Sequence, residues 1–194
     1  MMEKFAVPWA LRAMSGPPHL TKPELRYSNV AKGFAVVALG GAATVTLLGG
    51  VRHPAGMAML ALTAVVLALA SEFFGVRHDY DDTGITYRSP WSRRRRVSWS
   101  EIEKVEWRPV AKWLDLETRD GRRLHFSPML GGLAGFAQLA VRQLTPLALV
   151  RGTEAQTVLH LMAAGHGAIL TIDGRSPGEI ALQVGSVAEG VRNG

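Results

Sequence analysis

Apolar and polar positions divide the chain into two unlike regions. Residues 33–51 contain no charged side chain, and residues 54–76 contain only Glu72. Each run has the roughly 20 residues that an α-helix needs to cross the hydrocarbon core of a bilayer. From about residue 80 onward, apolar residues alternate with polar ones, as in half-buried strands. The pattern therefore predicts a helical hairpin followed by a β-rich region.

The hairpin is best explained as a transmembrane one, with residues 33–51 and 54–76 as its spans. Two helices that are apolar all round need a large surrounding domain if they are to be buried in a soluble protein, and the remaining chain is small and charged. A signal peptide explains the first run less well, because the run begins far from the N-terminus and no Ala-x-Ala site follows it before Arg52. Arg52, His53 and Pro54 suffice for a tight turn between the spans.

Cationic residues flank the hairpin on both outer sides, whereas its turn has only Arg52. The flanking cations are Lys22, Arg26 and Lys32 before the hairpin and Arg77, Arg88, Arg93, Arg94, Arg95 and Arg96 after it. Because Lys and Arg accumulate in cytoplasmic loops, both termini are expected to be cytoplasmic. Residues 1–32 are an N-terminal cytoplasmic segment that either forms a short helix lying on the membrane or is flexible.

Small residues and one carboxylate mark the interior of the spans. Ala38, Ala42, Thr46 and Gly50 recur every four residues, and such rows let helices approach closely in lipid. Glu72 lies one turn from the cytoplasmic end of its span. Intramembrane carboxylates are often functional, but this one is close enough to the interface to extend to the headgroups, and that interpretation is favoured.

The β-rich region is predicted to hold five antiparallel strands and one covering helix. The apolar pairs of the strands are Ile85 and Tyr87, Val97 and Trp99, Val105 and Trp107, Leu114 and Leu116, and Leu124 and Phe126. Asp120-Gly121 is a hairpin turn signal between the last two strands. A helical apolar face follows over residues 133–144. Trp99 and Trp107 are expected in the core, whereas Trp113 is out of phase and should be exposed.

Residues 146–194 are predicted to form a helix–strand–helix tail. The helix covers residues 153–164 and the strand residues 168–172. After a turn at Asp173-Gly174, a capping box from Ser176 to Glu179 opens the last helix. The predicted fold class is thus α+β: a two-helix transmembrane hairpin, an antiparallel sheet or barrel with a covering helix, and an α-β-α tail.

Composition and motifs argue against most classes of catalytic site. The 194 residues include 22 Lys+Arg against 16 Asp+Glu, for a formal net charge of +6, and no cysteine. Thiol nucleophiles, disulfides and cysteine metal sites are therefore excluded. The sequence also has no Gly-x-Ser-x-Gly motif, phosphate-binding loop or metal-binding helix signature. We expect a protein that is not an enzyme and has neither a cofactor nor a metal.

Three segments carry a family resemblance. Thr83 to Arg88, Arg95 to Val105 and Asp120 to Leu124 resemble the bacterial membrane-anchored PH-like domain proteins, in which a transmembrane hairpin precedes a small PH-like barrel. The resemblance implies a PH-like domain over residues 79–145 and a location in the bacterial inner membrane. A full PH fold has seven strands before its helix, two more than predicted here. Either short strands lie elsewhere in the sequence, or residues after 146 complete the sheet.

The candidate binding residues are Arg88, Trp91, Arg93, Arg94, Arg95 and Arg96. The resemblance implies that the loop between the first two strands supplies cations to lipid headgroups, and the arginine run is expected in or beside that turn. Juxtamembrane arginines favour anionic leaflets, and Trp91 suits the interface. Two alternatives to headgroup binding remain. The arginines could serve only to set the orientation of the hairpin in the membrane, or they could contact a protein. Nucleic acid is not expected, because no base-stacking surface or recognition helix accompanies the run.

These patterns predict a membrane-anchored, non-enzymatic binding or scaffolding module. Its cytosolic PH-like domain would contact anionic lipid headgroups or a protein partner through the arginine run. The alternative is an accessory subunit of a membrane enzyme or transporter, which would use the hairpin and Glu72 as its contact surface.

Overall fold

The computed structural model describes residues 14, 16–49, 54–150, 153–172 and 175–192. The predicted interhelical turn at Arg52 and His53, Gly50 of the predicted row of small residues, the turn at Asp173-Gly174 and most of the N-terminal segment lie outside these residues. Within them the chain is a mixture of helices and antiparallel sheets. The α+β fold class is therefore confirmed.

The two apolar runs form helices α1 (Asn29–Gly49) and α2 (Pro54–Gly75), which pack against each other. Ser28 begins α1, because its Oγ accepts a hydrogen bond from the Ala31 amide at 3.1 Å and so satisfies an otherwise unpaired donor. Between the helices, Thr46 Oγ1 lies 2.7 Å from Thr63 Oγ1. Of the predicted row of small residues, Thr46 is buried and Ala38 is exposed.

Seven strands form two antiparallel sheets in the described part of the chain. The first sheet has the order β1 (Glu24–Arg26), β2 (Arg77–Asp81), β3 (Gly84–Ser89) and β4 (Ser92–Ser98). The second has the order β5 (Ile102–Arg108), β6 (Trp113–Thr118) and β7 (Arg123–Phe126). All five predicted strand segments are present, and β1 and β2 are the two short strands missing from the prediction. The described residues after 146 add no strand.

Strands β1 and β2 place the helical hairpin within the sheet topology. Arg26 lies opposite Arg77, and Leu25 lies opposite His78. Strand β1 therefore ends where β2 begins, and the whole hairpin connects two neighbouring antiparallel strands. Because both helices leave the sheet from the same end, they must run antiparallel to each other.

An aromatic core joins the sheets to helix α3 (Leu133–Gln143). Phe136 on α3 stacks on Phe126 of β7 with ring centroids 4.9 Å apart, and its ring lies 5.9 Å from that of Trp99. Trp99 and Trp107 are buried and Trp113 is exposed, as predicted. Helix α3 is the predicted covering helix.

The described secondary-structure elements of the tail are all helices: α4 (Pro146–Val150), α5 (Thr153–Ala163), α6 (Gly167–Ile172) and α7 (Pro177–Arg192). The predicted strand at residues 168–172 is wrong, because this short apolar run forms α6 instead. The predicted capping box is confirmed: the Ser176 amide donates to Glu179 Oε2 at 2.9 Å, and the Glu179 amide donates to Ser176 Oγ at 3.4 Å. Helix α5 packs on α3 and on β5.

Candidate functional site

The turn between β3 and β4 packs against the end of α2. A methyl group on Gly75, the last residue of α2, would lie 2.6 Å from Pro90 Cγ. Only a glycine permits this approach of the helix to a rigid proline ring. Trp91, the next residue of the turn, has 65% of its surface exposed. The turn is therefore held beside the base of the hairpin with its indole uncovered.

The arginine run lies on strand β4, directly after the turn that joins β3 to β4. Strands β3 and β4 are the first two predicted strands, so the run lies beside the expected turn, although on a strand and not in a loop. All four arginines are exposed. In register, Arg95 lies opposite Tyr87 and Arg96 opposite Thr86 on β3. Side chains alternate along a strand, so the run presents cations on both faces of β4.

Arg96 is held by the turn between β2 and β3. Its Nη2 donates to Asp81 Oδ1 at 2.8 Å and to Asp81 Oδ2 at 2.7 Å, and it also contacts Thr83 Oγ1. Asp81 further accepts the Thr83 hydroxyl at 2.6 Å. Hydrogen bonds from Thr83 and Arg96 hold the pKa of the Asp81 carboxyl well below its usual range. Arg96 therefore has a structural ion pair that its neighbours lack in the described residues.

A basic groove of about 730 Å³ runs beside β4. Its lining includes Arg93, Arg94, Arg95, Arg96, Val97, Glu101, Thr118, Arg119, Asp120 and Arg122. The second set of cations comes from the turn between β6 and β7, where Arg122 Nε lies 2.7 Å from Asp120 Oδ2. Sequence reasoning did not assign Arg119 and Arg122 to this site. The Asp-Gly-Arg-Arg motif marked the turn, but nothing indicated that it faces β4.

The groove has two ends at different distances from the hairpin. Arg93 follows the turn that contacts α2, and strand β4 then runs away from α2. Strand β6 starts at Trp113, beside the base of the hairpin, and extends to the β6–β7 turn about 17 Å further along the strand. Arg93 and Arg94 thus form the hairpin-proximal end of the groove, and Arg119 and Arg122 form its distal end.

A second cavity, of about 790 Å³, lies where α2 meets the sheets. We call it the hairpin-base cavity. It is lined by Tyr27, Ala68, Leu69, Glu72, Phe73, Val76, His78, Tyr87, Ser89, Trp91, Trp113, Arg123, His125, Ser127 and Leu130. The predicted residues Glu72 and Trp91 thus share one cavity, whereas the arginine run lines the other. The cavity itself was not predicted, because its walls come from three distant parts of the sequence.

His78 is the buried polar group of the hairpin-base cavity, with 1% of its surface exposed. Its ring stacks on Tyr87 with centroids 4.3 Å apart, and its Nδ1 accepts the Arg88 amide at 3.1 Å. Burial lowers the pKa of His78 from 6.5 to about 4. The neutral ring therefore carries its proton on Nε2.

Tyrosine hydroxyls line the same cavity. Burial is the main cause that raises the pKa of both Tyr27 and Tyr87, and the nearby Glu72 carboxylate raises them further. Both hydroxyls consequently stay protonated near neutral pH. On β7, His125 Nδ1 lies 2.7 Å from Asp115 Oδ1, and Arg123 Nε lies 3.4 Å from Glu117 Oε2.

Comparison with known proteins identifies the region whose strands line the basic groove and the hairpin-base cavity. Residues 77–145 match the family model of the bacterial PH domain. The match begins at β2 and ends just after α3, so β1, the helical hairpin and the tail lie outside it. No curated protein and no solved structure matches the chain.

Proposed function

We propose that the bacterial PH domain at residues 77–145 is a non-enzymatic binding module that the helical hairpin anchors in the bacterial cytoplasmic membrane. The proximal end of its basic groove contacts anionic lipid headgroups, and both termini lie in the cytoplasm. The presence of a PH domain supports a binding or scaffolding role, and the hairpin and its flanking cations support the membrane location.

Two properties of the hairpin support anchoring. Residues 29–47 and 56–75 are long and apolar enough to cross a membrane, with mean hydropathies of 1.6 and 2.1. Only 17% and 6% of these windows are buried, whereas a core helix of a soluble protein would be mostly covered. Large apolar side chains such as Val37 and Leu47 are instead exposed. Exposed apolar area of this extent supports placement of the hairpin in lipid.

The observation that carries the headgroup contact is the packing of Pro90 against Gly75. Since α2 ends at Gly75, the β3–β4 turn lies at the level where the apolar span ends. Trp91 then reaches the interface that tryptophan prefers, and Arg93 and Arg94 follow it directly. Each cation near an anionic leaflet contributes about 1 kcal/mol before screening.

Headgroup contact is tested by neutralising either end of the groove in the full-length protein. Arg93→Gln with Arg94→Gln removes the proximal cations, and Arg119→Gln with Arg122→Gln is the matched distal control. Each variant is placed in nanodiscs of phosphatidylcholine with or without phosphatidylglycerol. Hydrogen exchange of the 88–95 amides is then measured. We expect the anionic lipid to protect these amides in the wild type and in the distal variant, but not in the proximal variant.

The reverse result would contradict headgroup contact. If the distal pair matters and the proximal pair does not, the proximal end does not make the contact. The second candidate function is the binding of an acidic protein segment by the groove. One observation favours that second candidate: β4 is an edge strand of its sheet, and edge strands accept an added strand from a partner. An acidic extended segment of another protein would fit there, and it would protect β4 without any membrane.

Anchoring is tested separately by carbonate extraction of bacterial membranes. We expect the full-length protein to stay in the membrane pellet at high pH and to enter solution only with detergent. Cysteine introduced at Ser100 should be labelled only after the cytoplasmic side is opened. Recovery in the carbonate supernatant would refute the anchor.

A further inference from the structure

We propose that the hairpin-base cavity binds one zwitterionic phospholipid whose headgroup carries a primary ammonium. This inference rests on the membrane anchoring proposed above and does not depend on the arginine run. The lipid would be a resident ligand that fills the junction between α2 and the PH domain.

The cavity has the size and the apolar wall that a lipid needs. Its volume of about 790 Å³ lies within the roughly 300–1,000 Å³ of typical ligand sites. The α2 wall consists of Ala68, Leu69, Phe73 and Val76 together with Glu72. Leu69 is also 61% exposed on the outer surface of the hairpin. The cavity therefore continues onto the surface that faces the bilayer, and an acyl chain can pass along Leu69.

Side chains of opposite charge line the cavity. Helix α2 contributes the Glu72 carboxylate, and β7 contributes the Arg123 guanidinium. A zwitterionic headgroup matches both charges, because its phosphate accepts from Arg123 while its ammonium donates to Glu72. Arg123 contacts Glu117 through Nε, and its guanidinium has further N–H donors at the terminal nitrogens.

The other common headgroups fit these charges less well. An anionic headgroup would leave the Glu72 carboxylate facing a second negative charge, which is unfavourable in a partly desolvated site. A quaternary ammonium carries positive charge but has no N–H to donate to the carboxylate. A primary ammonium supplies both the charge and the donor.

His78 adds a buried donor to the same cavity. Its Nδ1 accepts the Arg88 amide, so its proton is on Nε2. A phosphate or ester oxygen of a bound lipid would accept a hydrogen bond from Nε2. Trp91 and Trp113 at the rim, 65% and 44% exposed, suit the glycerol level of a bilayer.

The test uses the full-length protein in a mild detergent, with native mass spectrometry as the readout. The protein is incubated with equimolar phosphatidylethanolamine, phosphatidylcholine and phosphatidylglycerol that share the same acyl chains. Leu69→Trp fills the cavity from its exposed side. Leu67→Trp is the matched control, since Leu67 is 58% exposed on the same helix and does not line the cavity.

We expect one phosphatidylethanolamine to remain bound to the wild type and to Leu67→Trp. Leu69→Trp should lose it, and Glu72→Gln should reduce the preference for phosphatidylethanolamine over phosphatidylcholine about tenfold, as for the loss of one charge-assisted hydrogen bond. Unchanged retention in Leu69→Trp would overturn the inference, and so would an unchanged preference in Glu72→Gln.

The remaining outcomes separate this inference from the proposed function. A preference for phosphatidylglycerol that Arg93→Gln with Arg94→Gln abolishes and Leu69→Trp leaves intact would support the basic groove and overturn the cavity site. Absence of any retained lipid would overturn the cavity site alone if the protein still resists carbonate extraction. Release by carbonate would instead refute the anchor on which both proposals depend.

Discussion

Arg26 lies directly opposite Arg77 across two antiparallel strands, although 51 positions separate them in the sequence. In an ordinary β-hairpin a few residues connect such a pair. Here the connection is a pair of helices that leave the sheet side by side. The PH domain is thus joined to the hairpin by two adjacent strands, which fixes its orientation more firmly than a single linker would.

The contact between Gly75 and Pro90 should be essential for this orientation. Gly75→Ala places a methyl group 2.6 Å from the proline ring, so the β3–β4 turn must move away from α2. We expect faster hydrogen exchange at residues 88–92 and a lower unfolding temperature in detergent. Gly40→Ala is the matched control, because nothing lies within 4 Å of a methyl group there, and it should leave both measurements unchanged.

The threonine pair between the helices should stabilise the hairpin. Thr46→Val removes the hydroxyl that lies 2.7 Å from Thr63 Oγ1 while keeping the side-chain shape. The expected loss is about 0.6–1.7 kcal/mol in the free energy of unfolding, measured by steric trapping in micelles. Thr44→Val is the control, since the Thr44 hydroxyl bonds Gly40 O within its own helix. Equal losses in both variants would show that the interhelical bond contributes nothing.

His78 should make the protein less stable as the pH falls. Its pKa is about 4 in the folded state and near 6.5 when unfolded, so the unfolded chain binds the extra proton between these values. Stability from this residue is complete above pH 6.5 and is lost as the pH falls toward 4, by an amount on the order of 3 kcal/mol. Thermal unfolding across this range measures the effect.

His78→Gln gives the control for that pH dependence. Glutamine does not titrate, so the variant should have a flatter stability profile between pH 6.5 and 4, although its stability at pH 7 falls with the loss of the stacking on Tyr87. A profile as steep as that of the wild type would assign the pH dependence to other groups.

The capping box at Ser176 should determine how firmly α7 begins. Ser176→Ala removes the acceptor of the Glu179 amide, and the expected cost is about 1 kcal/mol. Hydrogen exchange at the first turn of α7 should accelerate, while exchange in α3 stays the same. Identical exchange in α7 would mean that the cap is not formed in solution.

Hydrophobic patterns predicted the helices and strands that are determined by their own residues. The two spans were evident from length and missing charge, and the five later strands from their alternation. Strand β1 has only three residues and exists because of a distant partner. Strand β2, with the sequence Arg-His-Asp-Tyr-Asp, has no apolar alternation. The short apolar run that forms α6 fits a strand or a helix equally well by pattern.

The candidate site was harder to predict than the fold. A run of four arginines has no polar–apolar period, so no pattern indicates that it forms part of strand β4. Its proximity to Arg119 and Arg122 depends on how the two sheets pack. Glu72, His78 and Arg123 come together only when α2 packs against both sheets. No spacing of residues in the sequence indicates this packing.

The pairing of β1 with β2 also imposes an order on biogenesis. During synthesis, β1 leaves the ribosome well before its partner, and the entire hairpin is made in between. Closing this contact across so long a stretch of chain is slow. The first sheet therefore cannot be completed until both helices have emerged, and a chain stalled within the hairpin would expose an unfinished sheet edge to chaperones and proteases.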